Sequence, residues 1–375
     1  MKEKPYDSTA KVIVFDAASA ERGLVTSVNG ALLALEHNPY LTIICVGKEN
    51  ELRETLEKAV KENSRLHEPF KRLQIVNADE CVGMDEKLSS VVDRKSTSIY
   101  KCVELVVDGK ADALVSPGNT GATVASLRRG AITWRHPSSL KDYFVKPGLL
   151  ARFPASDDEF SYLCDAGALV DVDANTLANF GLMMRVYLEQ VEKKKEPRIA
   201  LLNIGAEKGK GDSLYKETFE LLEKYCGKGL LNFVGNQEPK DVYNHSADGF
   251  ICSAQVGNTF AKTSEAVLDH VKHMMREKYE TEKNPLVKIV SGLSLKLSGI
   301  RGHLKEKADL LDLGGGLLLG SKYNAIIAHG QADERELAGA ILYGAKIKEF
   351  KLNEAITSLL KETHWYSKYS KIRRK

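Results

Sequence analysis

An α/β fold built on a parallel sheet is what this sequence predicts, and three observations carry that prediction. Short, unbroken apolar runs recur along the chain, at 12–15, 41–46 and 199–204 among others. They are too short for helices and lack the alternation of a half-exposed strand, so they read as strands buried on both faces. Stretches of helical period lie between them, and that alternation implies parallel pairing with right-handed crossovers. Several runs also end in glycine-rich turns that open into a helix, and ligands bind at the carboxyl ends of strands in such sheets.

The elements follow in order. Residues 1–10 form a leader. A strand at 12–15 ends on Asp16 and leads to a helix over 24–36. The second strand is 41–46, the charged amphipathic stretch 49–61 is a helix, and 73–76 is a weaker strand. The polar run 93–98 opens a helix over 99–107. The strand 113–115 meets Ser116-Pro117-Gly118-Asn119-Thr120-Gly121 and a helix to about 129. Residues 135–158, rich in Pro, Ser and charge, read as a long connection. A strand at 162–164 ends in Asp165-Ala166-Gly167, and a long helix over 174–192 closes on the lysines 193–195, which suit its dipole.

The stretch 198–224, RIALLNIGAEKGKGDSLYKETFELLEK, organises the rest. A strand at 199–204 is followed by Gly205, Gly209, Lys210 and Gly211, then by a helix whose buried side includes Leu214, Phe219, Leu221 and Leu222. This order aims backbone N–H groups and a positive dipole end at one spot, and Lys210 adds a full charge. It is not a Walker A loop: only three residues separate Gly205 from Gly209, and Gly211 stands where Ser or Thr would hold magnesium. Strands at 231–234 and 249–252 follow, the latter leading into a long helix. Gly-Asn-Thr thus occurs twice, at 118–120 and 257–259, each time where a strand gives way to a helix. These turns are expected to converge on one small anion.

Residues 285–304 carry Lys288, Lys296 and Arg301 among aliphatics and no acid, reading as an amphipathic helical excursion that packs on a partner subunit or touches lipid or an acyl carrier. Leu313-Gly314-Gly315-Gly316 opens a flexible apolar stretch to 319. A last strand, 325–328, ends at His329-Gly330, and a helix follows over 333–345. The remainder, 351–375, is a C-terminal helix and basic tail, and its last part, 364–375, carries Lys368, Lys371, Arg373, Arg374 and Lys375 with no acid.

The composition excludes several classes. A chain of 375 residues with 43% hydrophobic and 28% charged residues is an ordinary globular protein. A formal charge of +3 is too small to imply nucleic acid. The six cysteines are scattered without a C-x-x-C pair, as reduced thiols are in a cytosolic protein. No apolar run has signal-peptide or membrane-spanning length. Neither a zinc-protease helix, an EF-hand loop nor a Cys/His cluster occurs, so no metal is expected. G-x-S-x-G is missing, and no G-x-G-x-x-G follows the first strand to mark a dinucleotide site. What remains is an anion cradle with Asn119, Thr120, Lys210, Asn258 and His329 as polar groups at strand ends. This equipment suits phosphate as nucleophile, with amide or backbone donors on an oxyanion and a histidine able to exchange a proton near neutral pH.

With these residues in place the chain resembles the phosphate acyltransferases of bacterial phospholipid synthesis, over about 12–345. The resemblance lies in ADALVSPGNTGA (111–122), RIALLNIGAEKGKG (198–211), LNFVGN (231–236), VGNTFAKTSEA (256–266), LGGGLLLG (313–320) and IIAHGQAD (326–333). It implies a three-layer α/β/α sandwich similar to phosphotransacetylases and isocitrate-type dehydrogenases, spanning 11–350 and working as a homodimer in the cytoplasm without metal or nucleotide. The implied reaction moves a fatty acyl group from acyl-acyl carrier protein to inorganic phosphate. Lys210, Gly209, Gly211, Asn119, Thr120 and Gly121 would bind phosphate, Asn258 would stabilise the oxyanion and His329 would orient or accept a proton. Peripheral membrane contact would fall to 285–304, and carrier docking to Arg128, Arg129 and Arg135. The chain departs from the family pattern at strand ends: Ala18, Ser19 and Ala20 replace Met-Gly-Gly, Leu169 replaces an Asn, Ser253 replaces an Asp, and Gln331-Ala332 replaces Ser-Ser. The second reading of the same residues is a catalytically silent dimer that binds acyl carrier protein or a phosphorylated ligand.

Overall fold

The computed structural model describes residues 10–86, 93–133, 146–156, 159–281 and 314–362. The apolar runs become strands β1 (Lys11–Asp16), β2 (Leu41–Gly47), β3 (Leu73–Asn77), β4 (Ala113–Ser116), β5 (Gly148–Pro154) and β6 (Phe160–Cys164). They continue as β7 (Arg198–Leu202), β8 (Asn232–Gln237), β9 (Gly249–Ile251), β10 (Gly315–Leu319) and β11 (Asn324–Ala328). All join one sheet in the order β3-β2-β1-β4-β11-β10-β5-β6-β9-β7-β8. Pairing is parallel except where β10 meets β11 and β5, and where β5 meets β6. Three reversals in succession split the sheet into two parallel blocks of opposite sense: β3, β2, β1, β4 and β11 in the first, and β6, β9, β7 and β8 in the second.

Helices cover both faces. On one lie α1 (Leu24–His37), α2 (Glu49–Glu62), the short α3 (His67–Phe70), α6 (Ala174–Gln190), α7 (Ser213–Gly227), α10 (Glu334–Ile347) and α11 (Leu352–Glu362). Their core includes Leu35, Phe180, Tyr187, Leu222 and Ile341, with Ile13, Phe15, Ile43, Val115, Leu201 and Ile326 from the sheet. On the other face α4 (Ser98–Val107) and α5 (Thr120–Thr133) cover the first block. There α8 (Pro239–Tyr243) and α9 (Ala254–Thr281) cover the second, with Phe260 packing against the Phe153–Leu163–Phe250 cluster. This is the three-layer α/β/α sandwich. The two blocks are joined within the first helical layer by a buried hydrogen bond of 2.8 Å between the hydroxyls of Tyr187 on α6 and Tyr343 on α10.

Three expectations change. The connection 135–158 contains a strand, β5, whose Arg152 stacks over the Phe160 ring at 4.0 Å. The flexible stretch after Gly314 is the central strand β10. Its glycines are there for closeness: a Cβ on Gly315 would lie 2.5 Å from the Ile327 carbonyl oxygen, and one on Gly316 would lie 2.8 Å from that of Leu150. Finally, β7 ends at Leu202, and Ile204, which the sequence places in a buried strand, is 81% exposed. Residues 1–9, 285–304 and 363–375, to which the sequence assigns most of the leader, the amphipathic excursion and the basic tail, lie outside the described residues, as does Arg135. No described helix is long and apolar enough to cross a membrane.

Candidate active site

The turns after β6, β9 and β7 pack together because those strands are neighbours. After β7 the side chain of Asn203 bridges its own loop: Nδ2 donates to the Lys210 carbonyl at 3.1 Å and to Asn236 Oδ1 at 3.2 Å, while Oδ1 accepts from the Ile204 N–H. Asn236 in turn donates to the Glu207 carbonyl at 2.9 Å. Two buried amides thus pin a loop that would otherwise be a loose glycine-rich turn. Gly211 turns the chain into α7 at φ +90°, and a Cβ there would lie 2.7 Å from Tyr215 Cβ. Asp212 caps α7 by accepting from the Tyr215 N–H. Lys210 is half exposed, with Glu207 its ion-pair partner at 3.8 Å.

Tyr215 ties this loop to the next. Its hydroxyl accepts from the Ser253 N–H at 3.1 Å and lies 3.4 Å from Ser253 Oγ. Burial pushes the Tyr215 hydroxyl above its ordinary pKa, so it stays a neutral donor. Asn258 falls inside α9, which begins at Ala254, rather than in a turn before it. The Asn258 side chain lies against Gly167, 3.6 Å from the position a Cβ would take there. The Gly167 loop is organised by Asp165, fully buried, which accepts from the N–H groups of Leu149, Gly167, Ala168 and Leu169 at 2.8–3.0 Å. Burial raises its pKa more than these four donors lower it.

The turns after β1, β4 and β11 form a second group. Ser116 Oγ donates to Asp16 Oδ2 at 2.9 Å. Gly118 passes so close to Ser19 that a Cβ would lie 2.7 Å from Ser19 Cβ. The Glu21 N–H donates to the Gly330 carbonyl at 2.9 Å, and Gln331 Nε2 donates to the Glu21 carboxylate. Asn119 is occupied by structural work: Oδ1 accepts from the Ala122 N–H at 3.0 Å and Nδ2 donates to the Met84 carbonyl at 2.8 Å. Its side chain caps α5, and the first-turn N–H groups of Thr120 and Gly121 have no acceptor within the helix.

Because the blocks run in opposite senses, strand direction alone does not bring these two groups of turns together. The first stretch of α9 makes the link: Glu265 Oε1 lies 3.3 Å from His329 Nε2. Lys210 and Asn258 thus belong to one group of turns and Thr120, Gly121 and His329 to the other, and α9 touches both, with Asn258 at Gly167 and Glu265 at His329. Sequence reasoning gave Glu265 no role: it lies within the 256–266 motif, but its histidine stands 64 residues away. At three of the departures from the family pattern the new side chains find partners: Leu169 packs against the main core, Ser253 meets Tyr215, and Gln331 meets Glu21.

Comparison with known proteins agrees with this architecture. Among solved structures, a phosphotransacetylase from Streptococcus pyogenes superposes with a TM-score of 0.52 at 18% identity, covering 91% of this chain and 94% of that one. The EutD phosphotransacetylase from Staphylococcus aureus gives 0.51 at 16% identity, covering 90% and 94%. At these identities the likeness shows the fold alone. A phosphate acyltransferase of Dictyoglomus turgidum is 33% identical over 347 residues, 92% of this chain and 96% of its own length. One from Wolinella succinogenes is 33% identical over 346 residues, 92% and 96%. Residues 11–353 match the model of a family described as "Fatty acid synthesis protein". With nearly its whole length matched in both ways, the chain belongs to the phosphate acyltransferase family.

Proposed function

We propose that this protein transfers a fatty acyl group from acyl-acyl carrier protein to inorganic phosphate, giving acyl phosphate for phospholipid synthesis. A phosphate oxygen attacks the thioester carbonyl carbon, the C–S bond breaks, and the carrier thiolate leaves and takes up a proton. The observation that carries the assignment of the site is the pinned loop after β7. It holds the Lys210 backbone through Asn203 and Asn236, and Tyr215 just beyond it meets Ser253 at the start of the helix that carries Asn258, within a chain whose relatives bear the name phosphate acyltransferase. Lys210 and the N–H groups of Gly209 and Gly211 hold phosphate, with the first-turn N–H groups of Thr120 and Gly121 as further donors. Asn258 stabilises the oxyanion, and His329, steadied by Glu265, takes or orients the proton. Phosphate is anionic at neutral pH, so it needs little help from a base, and Ser253 in place of a carboxylate is compatible with turnover.

The active unit is a cytoplasmic homodimer with peripheral membrane contact, and the exposed Arg128 on α5 helps receive the acidic carrier by charge complementarity. The test gives purified protein a long-chain acyl-carrier thioester and millimolar phosphate, and follows free carrier thiol and hydroxamate-trapped acyl phosphate together. Equal release of both supports the reaction. Lys210→Ala is expected to raise the phosphate KM about tenfold or more, the loss of one charge-assisted contact. An unchanged KM removes Lys210 from the site.

A further inference from the structure

We infer that Lys262 is a phosphoryl-binding residue of this site, an inference that rests on the acyl-phosphate reading above. Asn258, Lys262 and Glu265 occupy positions i, i+4 and i+7 of α9. They fall within about 60° of one another around the helix and span about 10 Å along it. Contacts fix both ends of this stripe: Asn258 lies against Gly167, and Glu265 reaches His329 at 3.3 Å. A different side of the helix faces the core, where Phe260 and Ala261 pack on the second block and Gly257 meets the Asp165 carbonyl. Lys262 therefore stands between the two ends of the stripe, on the side of α9 that bridges the two groups of turns.

Its charge is left open. Lys262 is exposed and, among the described residues, has no hydrogen-bond or ion-pair partner. The acid one turn further along, Glu265, is engaged by His329 instead. Lys210, by contrast, has Glu207 at 3.8 Å. A lysine without a carboxylate partner, flanked on its own helix face by an amide and by an imidazole-bound acid, matches the needs of a phosphoryl anion, for which lysine acts as a point charge. Two participants in the reaction carry that chemistry: free phosphate and the phosphodiester of the carrier's thioester arm.

The experiment compares wild type, Lys262→Gln and Lys262→Arg, with the KM for phosphate and for acyl carrier determined separately. Thermal stabilisation by millimolar inorganic phosphate alone is recorded for each. Lys262→Gln is expected to raise the phosphate KM about tenfold or more, leave the carrier KM within about twofold, and lose the phosphate stabilisation, with Lys262→Arg restoring most of each. A rise confined to the carrier KM assigns the lysine to the phosphodiester of the arm instead. Unchanged KM values with phosphate stabilisation intact, or a loss of kcat alone that arginine does not rescue, overturn the inference. Should wild type form no acyl phosphate, the proposed reaction fails. Phosphate stabilisation present in wild type and absent from Lys262→Gln still supports the lysine's role, and stabilisation equal in both, or absent from both, refutes it.

Discussion

The carbonyl oxygen of Asp165 occupies the space in which a side chain on Gly257 would begin, 2.0 Å from the ideal Cβ position. The turn after β6 and the first turn of α9 are in backbone contact there, and Asn258 follows directly. Gly257→Ala is expected to lower stability by about 1–3 kcal/mol, as overpacking does. It also displaces Asn258 from Gly167, so kcat should fall further than stability accounts for. Urea unfolding and kinetics on the same preparation separate the two effects, and full activity in a destabilised variant would detach Asn258 from the chemistry.

Asp16 is 1% exposed, with Oδ1 lacking a well-aligned hydrogen-bond partner. Burial pushes its carboxyl above the ordinary value of 3.8, and the Ser98, Ser19 and Ser116 hydroxyls offset only part of that. A carboxyl raised by folding withdraws stability as pH climbs through and above its unfolded value. Asp16→Asn, which cannot ionise and keeps an acceptor for Ser116, should therefore be as stable as wild type or more so at pH 8, with the advantage gone at pH 3.5. Denaturant melts at both pH values decide this. A variant weaker only at pH 8 would mean that Asp16 is held as a carboxylate.

Asp248 behaves in the opposite way. Burial raises its pKa, but the Arg198 side-chain and backbone donors, with the charges of Arg198 and Lys194, outweigh that and hold it below the ordinary value. Its Oδ2 accepts from the Arg198 N–H at 2.8 Å, and Oδ1 lies 3.2 Å from His245 Nε2. A depressed carboxyl contributes stability above its unfolded pKa and loses it as pH falls through the folded value. His245, pushed down by burial ahead of its neighbouring charges, adds a loss in the same direction as it is forced to protonate below its ordinary 6.5. Asp248→Asn is expected to cost about 1.5–3 kcal/mol at pH 7, with the gap from wild type closing below pH 4. A gap independent of pH would show that the carboxylate's charge is irrelevant there.

The parts of this fold that were readable from sequence are those where burial is uniform. β1, β2, β4 and β7 lie inside parallel blocks covered on both faces, so their side chains are apolar without alternation and announce themselves. β5 escaped notice because it is antiparallel and partly exposed, which admits Arg152 and Pro154 and breaks the run. β10 was hidden by glycines whose purpose is the close passage of two neighbouring strands, information that exists only once those strands are adjacent. Ile204 misled in the other direction: an apolar residue beyond the strand's end looks the same on paper as one within it.

The site divides along the same line. Lys210 and its glycines form a local pattern, and so does the Asn119 turn, although the sequence could not tell that Asn119's amide is committed to Ala122 and Met84. The Glu265–His329 contact and the open charge of Lys262 depend on where a long helix runs after it leaves the sheet. A lysine in an amphipathic helix carries no mark of what lies across from it.

The strand order also sets the timetable by which the protein can be made. β4 has β1 on one side, but its other edge is completed by β11, which leaves the ribosome about two hundred residues later. At ordinary elongation rates that edge stays open for about 10–40 s, offering unpaired backbone groups to any passing strand. The first half of the chain is thus born incomplete, and its protection during synthesis falls to chaperones or to the helices that fold over it before the last strand arrives.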